Sequence, residues 1–315
     1  MPLLASAELD QLIQYIIIGL SNGSLYALIA LGYTMVYGII ELINFAHGDL
    51  FMLGSFLALT MLSWFGLDKG GSSASTFYIS FSIAILLLAV PIFCAFVNAG
   101  VDYLIYKPLR QAPKLAPLVS AIGVSFIFMN IGLFWYGPVD VAFPSLVTRE
   151  KVFPSSSIQF SYQALMVIAV TVPIMIALTV FVKYTNIGKA MRATAQNPTA
   201  AALMGIDVNR VISITFLLGG ALAGVASVIY GLFNNTVSYQ MGFQNGLYAF
   251  TAAVVGGIGN IPGAVLGGLL IGLVRSLGSG YIDEKWTEAM IFLILILILI
   301  FRPTGLLGAR VREKV

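Results

Sequence analysis

Few residues in this chain have the types and spacing that covalent chemistry requires. Gly19-Leu20-Ser21-Asn22-Gly23 matches the G-x-S-x-G pattern of serine hydrolases, but that pattern works at a sharp turn between a strand and a helix. Here it lies inside a long apolar run that predicts a helix. His47 is the only histidine, and no orienting acid of known geometry accompanies it. A Ser/His hydrolase stays open only as an alternative.

Metal and nucleotide chemistry have no better support. Metal sites need clustered His, Cys or carboxylates, and the single cysteine, Cys94, lies in an apolar run away from any such cluster. Gly188-Lys189 lacks the preceding glycine and the following hydroxyl of a P-loop. We therefore predict no catalytic residue, no metal site and no cofactor in this chain, so that ATP and Mg²⁺, if used, are bound by partner subunits.

The composition of the chain indicates the environment in which these residues lie. The chain is 59% hydrophobic and only 9% charged, whereas roughly 25% of the residues of a soluble domain are charged. It is predicted to be an all-α polytopic membrane protein with a single membrane domain over residues 1–315. The net charge of +3 does not indicate nucleic-acid binding, because no basic face carries interleaved aromatic residues.

Several polar residues in or between the apolar runs could line a path for a solute. His47 lies with Asn44 and Asp49 between two apolar runs, and ionisable groups at membrane depth are costly and usually paired. His47 could line the path or shape a re-entrant turn; the alternative is a hydrogen-bonded loop histidine at the cytoplasmic interface. Weaker candidates of the same kind are Asn22, Tyr26, Asn130 and Tyr248.

About nine membrane segments are expected, within a range of about 8 to 10 that includes broken or re-entrant helices. The predicted segments are Leu12–Ile40, Phe45–Phe65, Phe77–Tyr106, Leu115–Tyr136, Tyr162–Val182, Val211–Phe233, Asn245–Ile258, Pro262–Tyr281 and Trp286–Phe301. The first is too long for one perpendicular helix and contains Ser21-Asn22-Gly23-Ser24. It is therefore expected either to tilt strongly or to break there.

Glycine is concentrated in the second half of the chain, where half of the 32 glycines fall between Gly205 and Gly280. Most are expected to serve close helix packing. The run Val255–Gly263 is different, because it cannot continue a helix, so Gly256, Gly257 and Asn260 are candidates for a break that offers backbone groups to a solute. A short internal echo between Asn22–Ala27 and Asn245–Ala249 is consistent with a structural repeat or with chance.

A polar island at residues 183–210 interrupts the apolar sequence and is longer than the usual connection of about 2 to 8 residues between helices. Asn197-Pro198 predicts a helix start, and Gly205 predicts its end. The intervening small residues, including Ala200 and Ala201, would let another protein approach closely. The alternative is an ordinary loop with an incidental helix.

The distribution of Lys and Arg predicts the orientation. If the island is cytoplasmic, eleven cationic residues share its side: Lys107, Arg110, Lys114, Lys183, Lys189, Arg192, Arg210, Arg302, Arg310, Arg312 and Lys314. Five lie on the other side: Lys69, Arg149, Lys151, Arg275 and Lys285. The C-terminus is then cytoplasmic and the N-terminus extracytoplasmic, although a split first segment would move the N-terminus inside.

Three separated motifs resemble the branched-chain amino acid permease family of ABC importers, specifically its LivH-type subunit. They are the run from Asn22–Leu28 to Asn44–Asp49, the island's Gly188–Ala193, and Val255–Ala264, in that order. The resemblance covers nearly the whole chain. It implies the ABC importer permease fold in a bacterial or archaeal inner membrane, a second, LivM-like permease or a copy of this chain, two P-loop ATPase subunits and an extracytoplasmic binding protein.

The resemblance also implies a role for the island. Importer permeases carry a cytoplasmic coupling helix with an E-A-A-x-x-x-G pattern, and Thr199–Gly205 matches it with Thr in place of Glu. The coupling residues expected from this are Gly188, Arg192, Thr199, Ala200, Ala201, Gly205 and Asp207.

The substrate is less closely defined than the architecture. The expected cargo is a branched-chain or other neutral amino acid, but similar permeases carry urea or short amides. An ion-coupled secondary carrier is the alternative of another class, and it would be favoured by paired acidic residues inside the segments, of which none can be placed.

Overall fold

A computed structural model describes residues 2–68, 75–110, 112–113, 115–152 and 159–308. Within these residues the chain is almost entirely helical. The helices are α1 (Pro2–Ile40), α2 (Ala46–Trp64), α3 (Thr76–Val101), α4 (Lys107–Leu109), α5 (Leu115–Tyr136), α6 (Tyr162–Tyr184), α7 (Asn186–Gln196), α8 (Pro198–Leu203), α9 (Val208–Asn234), α10 (Met241–Gly256), α11 (Ile261–Tyr281) and α12 (Glu284–Phe301). A π-helical turn, Asp102–Tyr106, joins α3 to α4.

Seven helical stretches in the described part of the chain are long and apolar enough to cross a membrane. They are α1, α2, α3 with the turn and α4, α5, α6, α9 and α11. The 16-residue α10 and the 18-residue α12, which begins with charged residues, correspond to the predicted segments Asn245–Ile258 and Trp286–Phe301. The predicted all-α polytopic fold is confirmed. Each predicted segment coincides with one helix, except that Phe77–Tyr106 covers both α3 and the π-helical turn.

The first segment is one unbroken helix. Ser21 and Ser24 each donate to the backbone carbonyl four residues earlier, Ile17 at 2.9 Å and Leu20 at 2.8 Å. These bonds satisfy the hydroxyls inside the helix, and α1 continues to Ile40. Of the two alternatives for this segment, the break at Ser21–Ser24 is therefore wrong, and the strong tilt stays a prediction.

Glycines bring α1 and α11 into backbone contact in the centre of the protein. A Cβ added to Gly23 would lie 2.8 Å from the Cα of Leu269, and one added to Gly268 would lie 2.6 Å from the Cα of Ala27. Gly272 approaches Gly19 and Gly23 in the same way. In lipid, hydrophobic burial does not drive helices together, so the van der Waals contacts of such a close approach stabilise the pair instead. The expectation that most glycines serve helix packing is confirmed for this pair.

A two-stranded sheet lies at the end of the protein opposite the island. Its strands are β1 (Val141–Ala142) and β2 (Thr236–Val237), which pair antiparallel. Arg149 donates to the Oδ1 atom of Asn235 at 2.6 Å beside it. At the island end, Arg110 donates to Asn209. Arg110 and Arg149 therefore lie at opposite ends, as the charge count predicted. Lys69, Lys114, Arg310, Arg312 and Lys314 lie outside the described residues.

Candidate functional site

A charged side chain of the predicted segment Pro262–Tyr281 lies among the tyrosines of the helix bundle. Arg275 belongs to the second half of α11, and its guanidinium contacts two tyrosine rings. Its carbon Cζ is 4.8 Å from the ring centre of Tyr248 and 5.9 Å from that of Tyr26. Arg275 also donates to the hydroxyl of Tyr26. Arg275, which the charge count assigns to the side opposite the island, therefore lies within a membrane segment.

The two tyrosines of the internal echo meet at this arginine. The rings of Tyr26 on α1 and Tyr248 on α10 are 5.6 Å apart, edge to face. Both were candidate path residues, and both are buried. The structure brings them together because α10 and α1 each pack against α11.

An acidic side chain lies next to this cluster. The hydroxyl of Tyr248 donates to Oε1 of Glu288 on α12 at 2.8 Å, and the Gln244 amide donates to the same oxygen at 2.8 Å. Tyr248 therefore contacts the ring-bound guanidinium on one side and the carboxylate on the other. No ion pair joins Arg275 to Glu288 in the described residues. The ion pair observed among these residues joins Arg110 to Asp102 at 2.6 Å.

Glu288 lines two cavities. One, of about 430 Å³, is polar and lined by Gln244, Tyr248, Arg275, Ser279, Asp283, Glu284, Lys285, Thr287 and Glu288. The other, of about 380 Å³, is mostly apolar and lined by Met129, Gln240, Phe243, Gln244, Leu247, Tyr248, Glu288 and Phe292. They share Gln244, Tyr248 and Glu288, so a solute could contact both at once. Volumes of this size suit small ligands.

The group Asn44, His47 and Asp49 surrounds the break between α1 and α2. Asn44 donates to Asn98 on α3 at 3.3 Å and accepts from the hydroxyl of Tyr106 at 3.2 Å. Asn98 in turn donates to the backbone carbonyl of Phe216 at 2.7 Å. These bonds satisfy the buried polar groups of the break and hold it against α3 and α9.

His47 occupies a niche made by a glycine. Its side chain is 1% exposed and packs edge to face on Tyr33, with ring centres 4.9 Å apart. A Cβ on Gly32 would collide with the imidazole ring. His47 therefore lies in the first turn of α2, packed between helices beside the last quarter of α1 and not in an exposed loop.

Asp49 lies in the first turn of α2 and is fully buried. It accepts a hydrogen bond from the hydroxyl of Ser125 on α5. Its other oxygen is close to Gly242 at the start of α10, where the positive end of the helix dipole favours a carboxylate. Asn22, by contrast, is half-buried on α1 and lines neither cavity.

The glycine-rich break between α10 and α11 is occupied by the chain's own C-terminal segment. Leu306 and Leu307 donate their backbone N–H groups to the carbonyls of Val255 at 2.9 Å and Gly256 at 3.0 Å. The Asn260 side chain accepts from the N–H of Gly263 at 3.1 Å and donates to the Leu307 carbonyl at 2.6 Å. The carbonyls of Val255 and Gly256 and the amide of Asn260 thus have partners within the chain, contrary to the expectation that the break offers them to a solute.

Two features of the structure require a glycine at Gly257. Its φ is +109°, a region that other residues rarely adopt. A Cβ there would also lie 2.8 Å from the Cα of Gly308. The break lies at the island end, since Gly38, Arg192 and Gly259 line one small cavity.

The island forms two short helices with defined caps. Thr185 begins α7 and Asn197 begins α8, each accepting from a backbone N–H at 3.0 Å. Gly205, with φ +84°, follows the end of α8. Asp207 caps α9 by accepting from the N–H of Arg210 at 3.1 Å. The predicted helix start at Asn197-Pro198 and its end at Gly205 are confirmed.

Some of the residues expected to contact an ATPase have their contacts within the chain. Arg192 donates to the carbonyls of Val182 and Lys183 at the end of α6. Gly188 leaves room for the carbonyls of Phe181 and Val182 at the same corner. Ala201 is only 4% exposed. These three residues hold the island to the protein, while Thr199 and Ala200 are exposed on α8.

The exposed end of α8 is apolar, which sequence reasoning missed. Leu203 is 84% and Met204 is 83% exposed, directly before Gly205. Two large apolar side chains at the tip of a capped helix are typical of a contact surface. The sequence signal was available, since both residues follow the alanine run.

Arg275 and Glu288 are the other residues that sequence reasoning missed. Arg275 could have been found as a lone cation inside a glycine-rich apolar segment, because such residues are rare and usually functional. Glu288 lies one turn into α12, and only the packing of α12 beside α10 shows that it faces Tyr248.

A bundle of long apolar helices with a polar cluster inside it and a capped helical island at one end defines a polytopic membrane transport protein. Comparison with known proteins gives the family. Residues 15–299 match the family described as branched-chain amino acid transport system / permease component, and the chain belongs to that family.

Individual relatives agree over nearly the full length. The chain is 41% identical to the high-affinity branched-chain amino acid transport system permease protein BraD of Pseudomonas aeruginosa, over 98% of this chain and 99% of BraD. It is 40% identical to LivH of Escherichia coli, over 94% of this chain and 96% of LivH. A more distant relative, the fructose import permease protein FruG of Bifidobacterium longum, is 24% identical over 79% of this chain. No solved structure matches.

Proposed function

We propose that this protein is the membrane-spanning permease subunit of an ATP-driven importer of branched-chain amino acids. The observation that carries the proposal is the identity of about 40% to BraD and LivH over nearly the whole of each chain. Permeases of urea or short amides share the architecture, and the polar cluster around Arg275 and Glu288 favours a zwitterionic amino acid over these neutral solutes.

The partners follow from the same proposal. Two P-loop ATPase subunits bind ATP and Mg²⁺, a second, LivM-like permease or a copy of this chain completes the membrane pair, and a binding protein delivers the amino acid from outside. The relatives are permease subunits, which agrees with a chain that hydrolyses no ATP itself.

The docking surface proposed for the ATPase is the exposed end of α8. Leu203 and Met204 provide apolar area, the cap at Asn197 fixes the start of α8, and the cap at Asp207 fixes the start of the following helix α9. Movement of the ATPases reaches the bundle through Arg192, which binds the end of α6, and through α9. ATP binding then opens the permease pair outward, and hydrolysis resets it.

The proposed orientation places the island and the C-terminus in the cytoplasm and the N-terminus outside a bacterial or archaeal inner membrane. The segment 302–308 packs against the α10–α11 break at the island end, so the island and this segment lie on the same side.

The test is uptake of radiolabelled leucine by proteoliposomes that contain the complete complex, with ATP inside and the binding protein outside. Uptake that requires both supports the proposal. Uptake by this chain alone without ATP supports an ion-coupled carrier instead, and uptake of urea but not leucine supports the amide alternative. Affinity purification of the tagged chain identifies the partner subunits.

A further inference from the structure

Arg275 is a half-buried cation, and no carboxylate lies within ion-pair distance of it in the described residues. Its neighbours are the rings of Tyr26 and Tyr248 and the hydroxyl of Tyr26. Aromatic faces stabilise a guanidinium, but they leave most of its five N–H donors free to bind a carboxylate. Retaining an arginine inside a membrane bundle is costly, and such residues commonly mark substrate pathways.

Tyr248 contacts both Arg275 and Glu288, which carry opposite charges. Its hydrogen bonds from Tyr248 and Gln244 both go to Oε1, and its Oε2 atom has no hydrogen-bond partner among the residues described. The carboxylate is therefore held in place with one oxygen open to the cavities. An ammonium group of a solute could bind that oxygen, with a charge-assisted bond stronger than one between neutral groups.

Glu288 also lines the apolar cavity. Met129, Phe243, Leu247 and Phe292 form its walls, and no lysine, arginine or aspartate lines it. A branched aliphatic side chain fits such a lining, whereas a charged side chain would lose its hydration there. The polar cavity also contains Asp283, Glu284 and Lys285, which follow the end of α11.

We propose that Arg275 and Glu288 form a transient binding site for the zwitterionic group of an amino acid during its passage through the permease. Arg275 binds the carboxylate, Glu288 binds the ammonium, and the apolar cavity around Phe243 and Leu247 takes the side chain. This inference rests on the proposed function and adds to it a substrate site in the permease itself, which discriminates amino acids from urea and short amides because those lack both charges.

The first experiment measures binding of radiolabelled leucine to the nucleotide-free complex in nanodiscs, without the binding protein. Competitors are isoleucine, 4-methylpentanoate, which lacks the ammonium, and 3-methylbutylamine, which lacks the carboxylate. We expect isoleucine to displace leucine and both single-charge compounds to compete at least about tenfold more weakly, because each loses one charge-assisted bond.

The variants test each charge separately. Glu288→Gln keeps the bonds to Tyr248 and Gln244 possible but removes the charge, and we expect it to abolish the preference for leucine over 4-methylpentanoate. Arg275→Lys is expected to weaken leucine binding at least about tenfold through loss of the planar, two-donor geometry. Glu150→Gln, which changes an exposed glutamate that lines neither cavity, is the matched control.

The outcomes separate the two proposals. Leucine binding and competitor preference unchanged in both Glu288→Gln and Arg275→Lys overturn the site. A wild-type complex that imports leucine but binds none without the binding protein also overturns it. If the wild type imports no leucine, the proposed function fails instead. Should Arg275→Lys not assemble, the exposed Glu288 side chain still provides the test, since its change leaves no buried charge.

Discussion

Tyr26 and Tyr248 lie edge to face, 5.6 Å between ring centres, although 221 residues separate them in the chain. Each occupies the same place in a short sequence echo, Asn22–Ala27 and Asn245–Ala249. Their rings enclose the guanidinium of Arg275. The hydroxyl of Tyr26 accepts from that arginine, while the hydroxyl of Tyr248 donates to Glu288. The two similar stretches thus contribute different functions to one cluster.

Tyr248→Phe separates these functions. The ring contact with Arg275 is retained, but the hydroxyl that holds Glu288 is lost, so the carboxylate gains freedom. We expect normal abundance and a leucine uptake reduced by at least about tenfold, the effect of one hydrogen bond to a charged group. Initial uptake rates in proteoliposomes measure this. Tyr239→Phe, whose hydroxyl accepts from Gln240 at 2.8 Å outside the cluster, is the control, and equal rates in both variants would contradict the role of Tyr248.

Gly32→Ala should destabilise the protein. The new Cβ would collide with the imidazole of the buried His47, and overpacking of this kind costs about 1 to 3 kcal/mol. Thermal unfolding in detergent should show a melting temperature several degrees lower. Gly123→Ala on α5, where a Cβ has nothing within 4 Å, is the matched control and should change little. A Gly32→Ala protein as stable as the control would mean that His47 moves aside freely.

Leu203→Ser with Met204→Ser should uncouple the permease from its ATPases. Both side chains are exposed, so insertion and folding should be unaffected, while the apolar contact area is lost. We expect less ATPase recovered with the tagged chain and at least about a tenfold loss of uptake, as for central interface residues. Thr199→Ser on the same helix serves as the control. Undiminished uptake and recovery would place the ATPase contact elsewhere.

Ala201→Trp should destabilise the fold of the permease, although the sequence suggests Ala201 as a residue that contacts the ATPase. Because Ala201 is buried, tryptophan there must disturb the packing of α8 on its own chain. We expect lower abundance of the folded protein, measured by size-exclusion chromatography, and not a correctly folded permease that merely fails to bind ATPase. A folded, abundant and uncoupled variant would instead assign Ala201 to the interface.

Asn260→Ala should lower stability without changing substrate recognition. The side chain caps α11 and binds the Leu307 carbonyl, and loss of a cap costs about 0.5 to 2 kcal/mol. The KM for leucine uptake should stay as in the wild type while the melting temperature falls. Asn260→Ser keeps the cap and should recover part of the stability. A raised KM with unchanged stability would instead indicate that Asn260 lines the transport path.

The local helix signals could be predicted well from the sequence. Asn197-Pro198 and Gly205 bound α8 as expected, and the long apolar runs coincide with helices, because capping chemistry and apolar length act within a few neighbouring residues. The alternative of a break at Ser21–Ser24 is wrong for a reason that is also local. Serine hydroxyls can donate to the backbone carbonyl one turn earlier, so polar residues alone do not end a helix.

The roles of individual polar residues depended on contacts between distant segments. Asn260 and Gly256 suggested a cavity, yet the returning segment at Leu306 and Leu307 occupies their hydrogen-bonding groups. In the sequence, Arg275 is only a cation of the segment Pro262–Tyr281, yet its guanidinium lies over the rings of Tyr26 and Tyr248. No sequence pattern specifies these pairs, because each joins segments that only the packed bundle brings together.

By itself, then, the sequence determined the membrane setting, the approximate bounds of the long helices, and the family resemblance, since apolar length, caps and motifs are properties of contiguous residues. Only the tertiary structure decided that Arg275, Tyr248 and Glu288 form one cluster with an apolar cavity beside it. The physical reason is that α10, α11 and α12 pack side by side, with glycines that let α11 approach α1 and α10 closely, and this packing sets which polar side chains face one another.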